Sequence, residues 1–328
     1  MDVGSAFSFR EILKRKRKYL RFRHKGKYRI IPLRAAYPFS AEKKLRTIIE
    51  GIALKFSKQY NAWFFNHVEI WKERQRRYDS WDSEMEFFLR ELEQEMELYF
   101  TSSTEFNVNV SRQVERVSLF IYELNRKEFG RQVEQVLKEV YYGSDMWWED
   151  IKTQWIAEFK VRTKNLATSF ITHNRDIVLK ATQEGWSFTK LEEHMRLLNE
   201  SFTKARVNFI ARDLVGSLNG ILEQNLQQSI GIDYYLWFTM ADERVRGKPG
   251  GKYPNAVPSH YAMDGKICDW RNPSIYSKNG KEWFPRTALM PQQHPGRDWA
   301  CRCTASPYMN ALVDEVDKSI EQEESTNA

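Results

Sequence analysis

Cysteine is scarce in this chain, with three among 328 residues. So small and odd a number does not make the disulfide framework of a secreted domain, and a reducing cytoplasm is the expectation. Long apolar runs are missing too. None approaches the roughly 20 residues of a membrane-spanning helix. The basic N-terminal stretch has no apolar segment behind it that would read as a signal peptide. No membrane partner is therefore expected. Catalytic signatures are also lacking: no H-E-x-x-H, G-x-x-x-x-G-K-[ST], G-x-S-x-G or G-x-G-x-x-G occurs, which removes the zincin, P-loop, hydrolase and dinucleotide patterns. Nothing supplies the tight carboxylate cluster of two-metal phosphodiester chemistry. The chain reads as a non-enzyme.

Aromatics and unevenly placed charge are plentiful. Eleven Trp and twenty Phe need helix–helix or partner surfaces to cover them. Residues 1–34 hold twelve Lys/Arg against Asp2 and Glu11, and residues 311–328 hold six acids against Lys318. The body between is close to neutral. The basic arm, residues 1–36, centres on Lys14, Arg15, Lys16, Arg17 and Lys18, then Arg21 and Arg23, with Tyr19, Phe22 and Tyr28 interleaved. Such a segment cannot bury a core and suits a polyanion, by counterion release and stacking. Non-specific DNA contact is the favoured reading, against a solubilising tail or an arm that docks on acidic protein surface. The acidic tail, 311–328, reads as a short helix or a disordered segment.

From about 37 to 230 the pattern is helical. Leu45, Ile48, Ile49, Ile52, Ala53 and Phe56 follow the i, i+3, i+4, i+7 rule, and Tyr60, Trp63 and Phe64 continue the line. Ser40 is the expected N-cap. Further helices are expected over about 83–100, 111–140 and 145–184, with Gly143 and Gly185 as stops and a non-helical break at Asn107–Val110. Ser187 and Ser201 are expected to cap two more helices. In the second, over about 202–229, Val207, Ile210, Ala211, Leu214, Leu218, Ile221 and Leu222 form one stripe. Arg212, Asn219 and Glu223 fall opposite. On pattern alone that side is a solvated face, with a docking face for the C-terminal segment as the minority view.

After Gly231 the periodicity changes. Tyr234–Thr239 reads as a strand, Lys266–Cys268 as a partner for residues 236–239 of it, and 247–259 as loop. All three cysteines (Cys268, Cys301, Cys303) and two of six histidines (His260, His294) fall between Trp237 and Pro307. Thiolate and imidazole suit a tetrahedral Zn²⁺. Cys301, Cys303 and His260 would supply three ligands, and His294 or Cys268 the fourth. Buried, inert cysteines are the competing reading, and a strained Cys301–Cys303 disulfide a third. Convergence of five donors on one segment favours structural zinc. A metallonuclease with an open metal position, using His260, Asp264 and His294, is the enzymatic alternative. Asp242, Arg244 and Arg246 read as a network that organises the loop after the strand.

The order Trp237, Thr239, Asp242-Glu243-Arg244-Val245-Arg246, His260, Asp264-Gly265, Cys301-Arg302-Cys303, with Ile210–Asp213 and Asn219 upstream, resembles the C-terminal block of the Mu protein F-like head-morphogenesis proteins, minor head proteins of tailed phages. The resemblance spans about 200–307. It implies a portal-associated minor head component that assists head assembly, with scaffold or major capsid protein as further partners. Such a protein resides in the head interior, and in the host cytoplasm before assembly. It also marks Arg212, Asn219, Trp237, Asp242, Arg244, Arg246, Asp264 and Gly265 as family-motif structural positions. The expected fold is mainly α: an elongated helical body at 37–230, then a small α+β module at 231–310, a Cys/His knot stabilised by zinc.

Overall fold

The computed structural model describes residues 34–73, 78–137 and 145–310, with 318, 321–322 and 325–326. Lys14, Arg15, Lys16, Arg17, Lys18, Arg21 and Arg23, the Gly143 stop and most of the acidic tail lie outside the described residues. Among the described residues, five long helices precede a small sheet: α1 Phe39–Glu73, α2 Tyr78–Ser102, α3 Ser111–Leu137, α4 Trp148–Gln183 and α5 Phe188–Gln228. Five strands follow: β1 Tyr234–Phe238, β2 Ile267–Asp269, β3 Asn272–Ser277, β4 Trp283–Pro285 and β5 Thr304–Pro307. Among the described residues, no helix is long and apolar enough to cross a membrane. By internal contacts the chain divides into a helical unit, 39–119 with 149–214, and a sheet unit, which takes 120–148, 215–328 and the segment before 39.

In the helical unit the apolar stripe of α1 is the core. Leu45, Ile49, Ile52, Phe56, Tyr60 and Phe64 are all buried, and each such side chain contributes roughly 1.5–3 kcal/mol by leaving water. Aromatic rings interlock around them. Phe56 lies edge-on to Tyr99 at 5.5 Å, Tyr60 edge-on to Phe170 at 5.6 Å, and Trp63 stacks on Phe88 at 4.0 Å. Arg162 joins Glu158 and the buried Asp213, and Arg212 lies 3.9 Å from Glu42.

Two expectations change here. Asn107–Val110 is not a break from helix but part of a π-helical turn, Glu105–Val110, that leads directly into α3. Ser103 shapes its entry, accepting from the Phe106 N–H and donating to the Tyr99 carbonyl. Nor does Ser201 start a new helix, because α5 runs unbroken for 41 residues. Ser187 does cap it, accepting from the Lys190 N–H. Gly185 stops α4 as expected. Its φ of +62° lets the Trp186 N–H reach back to the Ala181 carbonyl.

In the sheet unit all pairings are antiparallel, in the order β4-β3-β2-β1-β5. Tyr235 and Trp237 on β1 enter a small core with Met263, Cys268, Trp270, Cys301, Cys303 and Ala305. The outer edge of β5 is closed by helix side chains instead of another strand. Glu223 accepts from the Ala305 N–H at 2.8 Å, and Gln227 donates to the Ala305 carbonyl at 2.8 Å. Gln227 also accepts from the Trp270 indole, and Glu223 from Asn219, which in turn accepts from Asn125 on α3. Asn219 and Glu223 are buried, at 1% and 5% exposure. The expectation of a solvated face is overturned for both; they are the docking face for the C-terminal segment. A helical wheel shows which residues share a side, but not that a second element covers it. The chain before α1 also lies on this sheet. The Ala35 N–H donates to Ser306 Oγ, and Thr304 Oγ1 donates to the Ala35 carbonyl.

Candidate metal centre

Two segments bring the donors together. His260 arrives just ahead of the 3₁₀ turn Tyr261–Met263, and Cys301 and Cys303 lead into β5. All three side chains are buried, and their donor atoms lie within 4.8 Å of one another. His260 Nδ1 is 3.3 Å from Cys303 Sγ and 3.5 Å from Cys301 Sγ. On the far side of the ring, Nε2 lies 2.9 Å from Asp298 Oδ2, and Arg246 reaches the same oxygen at 2.9 Å. The carboxylate assigns the Nε2 proton, so Nδ1 is the nitrogen aimed at the sulfurs.

The surroundings favour negative sulfur. The N–H groups of Gly296 and Cys303 both donate to Cys301 Sγ at 3.4 Å. The Trp237 indole N–H is buried without a hydrogen-bond acceptor, on the side of the Cys303 sulfur, whose charge it favours. A thiolate held by a cation there would use that donor. The Cys301 thiol is held well below its usual range, first by a hydrogen bond from Cys303 and then, against burial, by His260 and Gly296. Cys303 is pushed up by the same bond, by burial and by the neighbouring negative charge. Burial lowers His260, but Asp298 and Cys301 outweigh it and its pKa is raised. Two thiols and one imidazole form a donor set that can coordinate a metal ion, which would take the place of the protons now shared among them.

Cys268 and His294 stand elsewhere. Cys268 is on β2 opposite Tyr235, and burial raises its thiol. His294 Nδ1 lies 3.0 Å from the Tyr235 hydroxyl, and burial with Arg286 and Arg297 brings its pKa down to about 4. Arg286 is buried in the same region and donates to the carbonyls of Ile275, Pro291 and Gln293, fixing the loop that carries His294.

The remaining sequence candidates sit around the knot. Asp242 Oδ1 accepts from the Arg244 N–H, an Asx turn at the end of β1. Asp264 accepts from both the N–H and hydroxyl of Thr239, and Gly265, at φ +71°, donates to the Trp237 carbonyl. Arg212 belongs to the helical unit, where it lies 3.9 Å from Glu42.

Sequence reading missed three glycines. A Cβ on Gly216 would lie 2.2 Å from the Cys301 carbonyl oxygen, and one on Gly220 2.2 Å from that of Pro295. Gly247 faces Ser259, with a Cβ only 2.9 Å from its Cα. Helix α5 thus lies backbone to backbone against the Cys301 loop, and Gly247 backs the loop of His260. The signal was present in the spacing Gly216-x-x-x-Gly220, a helix face able to admit another chain closely.

Comparison with known proteins bears on the same part of the chain. An uncharacterized protein of Haemophilus influenzae is 28% identical over 147 residues; the match takes in 45% of this chain and 27% of that protein. The chain thus spans about a quarter of its relative's length. No solved structure matches. The Phage Mu protein F like family matches residues 172–306, which hold all of α5, the sheet except the last residue of β5, and all three clustered donors. Residues 172–306 of this chain are a Phage Mu protein F like domain.

Proposed function

We propose that this protein is a minor head component of a tailed phage, joined to the portal and assisting head morphogenesis. The Phage Mu protein F like domain carries this reading. The role is structural, not catalytic. Scaffold or major capsid protein are the further partners, and the head interior is the final location, reached from the host cytoplasm. The basic arm, with Lys14 to Lys18, Arg21 and Arg23, contacts the packaged DNA without sequence preference.

The ion that suits the knot is Zn²⁺, held by His260, Cys301 and Cys303 with Asp298 orienting the imidazole. When bound it supplies a cross-link between the loop of His260 and the segment of Cys301 and Cys303. A nuclease finds less support, because the donors are buried away from any surface a phosphodiester could approach.

Quantitative mass spectrometry of purified heads tests the assignment. A few copies per portal ring are expected, lost when residues 231–310 are deleted. Absence from particles at every stage of assembly sinks it. Salt-titrated binding of duplex DNA by a chain lacking residues 1–34 tests the arm, where unchanged affinity removes its role.

A further inference from the structure

The knot holds one large apolar side chain outward. Trp299 is 68% exposed although it sits two residues from Cys301. Its backbone is fixed on both sides: the N–H donates to Asp298 Oδ1 at 2.8 Å, and the carbonyl accepts from Arg246 at 3.1 Å. Asp298 is itself held by His260 and Arg246. Ala300, next in the chain, has φ +47°, a conformation unfavourable for a residue with a Cβ. Strain of that kind persists only where the surroundings impose it. Here it lies between the largely exposed Trp299 and the buried Cys301.

We propose that Trp299 is the anchor of a protein-docking surface, inserting into an apolar pocket rimmed by carboxylates on the partner. With its backbone already held, Trp299 loses little main-chain entropy on binding, and Trp is a common centre of interface energy. Charge supplies the rim. The two segments that meet at Arg246, residues 241–252 and 297–302, hold six Lys/Arg against three Asp/Glu. Arg244 and Arg297 in these segments are exposed, and an acidic rim complements them. Val257 and Tyr261 beside His260 are exposed as well, as is Leu289, whose carbonyl accepts from the Ser259 N–H. A nucleic-acid strand is the less suitable occupant. Strand-binding grooves offer successive aromatic platforms along the backbone, whereas this is one fixed indole.

The inference deepens the head assignment and rests on it. Heads assembled with Trp299→Ala are compared with wild-type heads and with Met146→Ala, which removes an exposed apolar side chain at another place. Loss of at least about tenfold in copies per head is expected for Trp299→Ala alone, with thermal stability and metal content unchanged. Equal copies overturn the docking surface and leave the head assignment standing; absence of the wild-type protein from heads overturns both. In particles carrying p-benzoylphenylalanine in place of Trp299, cross-linking to an acid-rich peptide of a head protein is expected. Cross-links to DNA alone overturn the proposal.

Discussion

The helical unit buries Leu45, Ile49, Phe56 and Phe64, side chains with no polar atom to satisfy. The sheet unit buries Asn219, Glu223, Gln227, Arg286 and His260 along with its cysteines. In the first, area removed from water dominates, and loss of one contact is shared among many neighbours. In the second, each buried polar atom needs its own partner, and a lost partner leaves a desolvated group behind. The difference follows from size. Five strands of three to six residues enclose too little apolar volume, so directed bonds, close glycine contacts and a metal-competent donor set take over. The sheet unit should therefore answer steeply to chemical changes that the helical unit tolerates.

Metal removal gives the widest separation. With zinc at a thousandfold excess over its Kd, binding adds about 4 kcal/mol to the folded state. Chelation should accelerate hydrogen exchange across β1, β2 and β5 and leave peptides of α1 and α2 unchanged. Equal acceleration in both units would mean that they do not differ in this respect. Cys301→Ser should give the same pattern without chelator.

A methyl group on Gly216 comes next. Its Cβ would meet the Cys301 carbonyl oxygen at 2.2 Å, and backbone on both sides cannot yield like a side-chain tip. Gly216→Ala should cost about 3 kcal/mol or more and lower metal affinity, because the loop that must shift carries a ligand. Urea unfolding and zinc titration of the variant check both.

These two cases also show what the sequence could convey. The α1 core was legible because burial follows a 3.6-residue period, and Leu45 to Phe64 keep to it. The β1–β2 pairing was legible because Tyr234–Phe238 and Ile267–Cys268 are short, apolar and separated by loop-forming residues. The division of the five thiol and imidazole donors was not. Cys268 lies 33 residues from Cys301 in the chain, but strand register decides that it faces Tyr235 while His260 meets Cys301 and Cys303. Burial of Asn219 and Glu223 was hidden for the same reason: Ala305, which donates to Glu223, is 82 residues beyond it, and Asn125, which donates to Asn219, is 94 residues before it. Gly216 and Gly220 could have been read from their spacing, though not what approaches them.

Glu223→Ala should cost about 1–3 kcal/mol, since the Ala305 N–H and the Asn219 amide each lose an acceptor in a buried place. Glu223→Gln should lose less at neutral pH. Burial raises the Glu223 pKa to about 8, although both hydrogen bonds oppose the rise. Between the ordinary carboxylate range and that value the unfolded chain ionises while the folded one stays protonated. The glutamate thus loses stability as pH rises through this window, and the glutamine has no such loss. Parallel denaturation curves of the two proteins from pH 5 to 8 would remove the claim.

His294 has the opposite sign. Its folded pKa of about 4 lies below the ordinary 6.5, because burial and the charges of Arg286 and Arg297 disfavour imidazolium. Stability from this group is complete above pH 6.5 and is lost as pH falls toward 4. Partial exposure limits the loss to about 1–2 kcal/mol. His294→Gln should flatten that part of the profile.

The smallest expected effect is the most direct contrast with Gly216. Gly51 lies within α1, is exposed, and has no atom within 4 Å of where a Cβ would stand. Gly51→Ala removes backbone freedom from the unfolded chain and adds no contact to the folded one. It should stabilise the protein by about 0.5–1 kcal/mol, the reverse of the same substitution at Gly216. Both glycines are helical, so intrinsic propensity predicts one sign for both. Only the Cys301 carbonyl above Gly216 separates them. If Gly216→Ala also stabilised the chain, close backbone packing would not be what holds the cysteine loop, and the contrast between the two units would fail at that point.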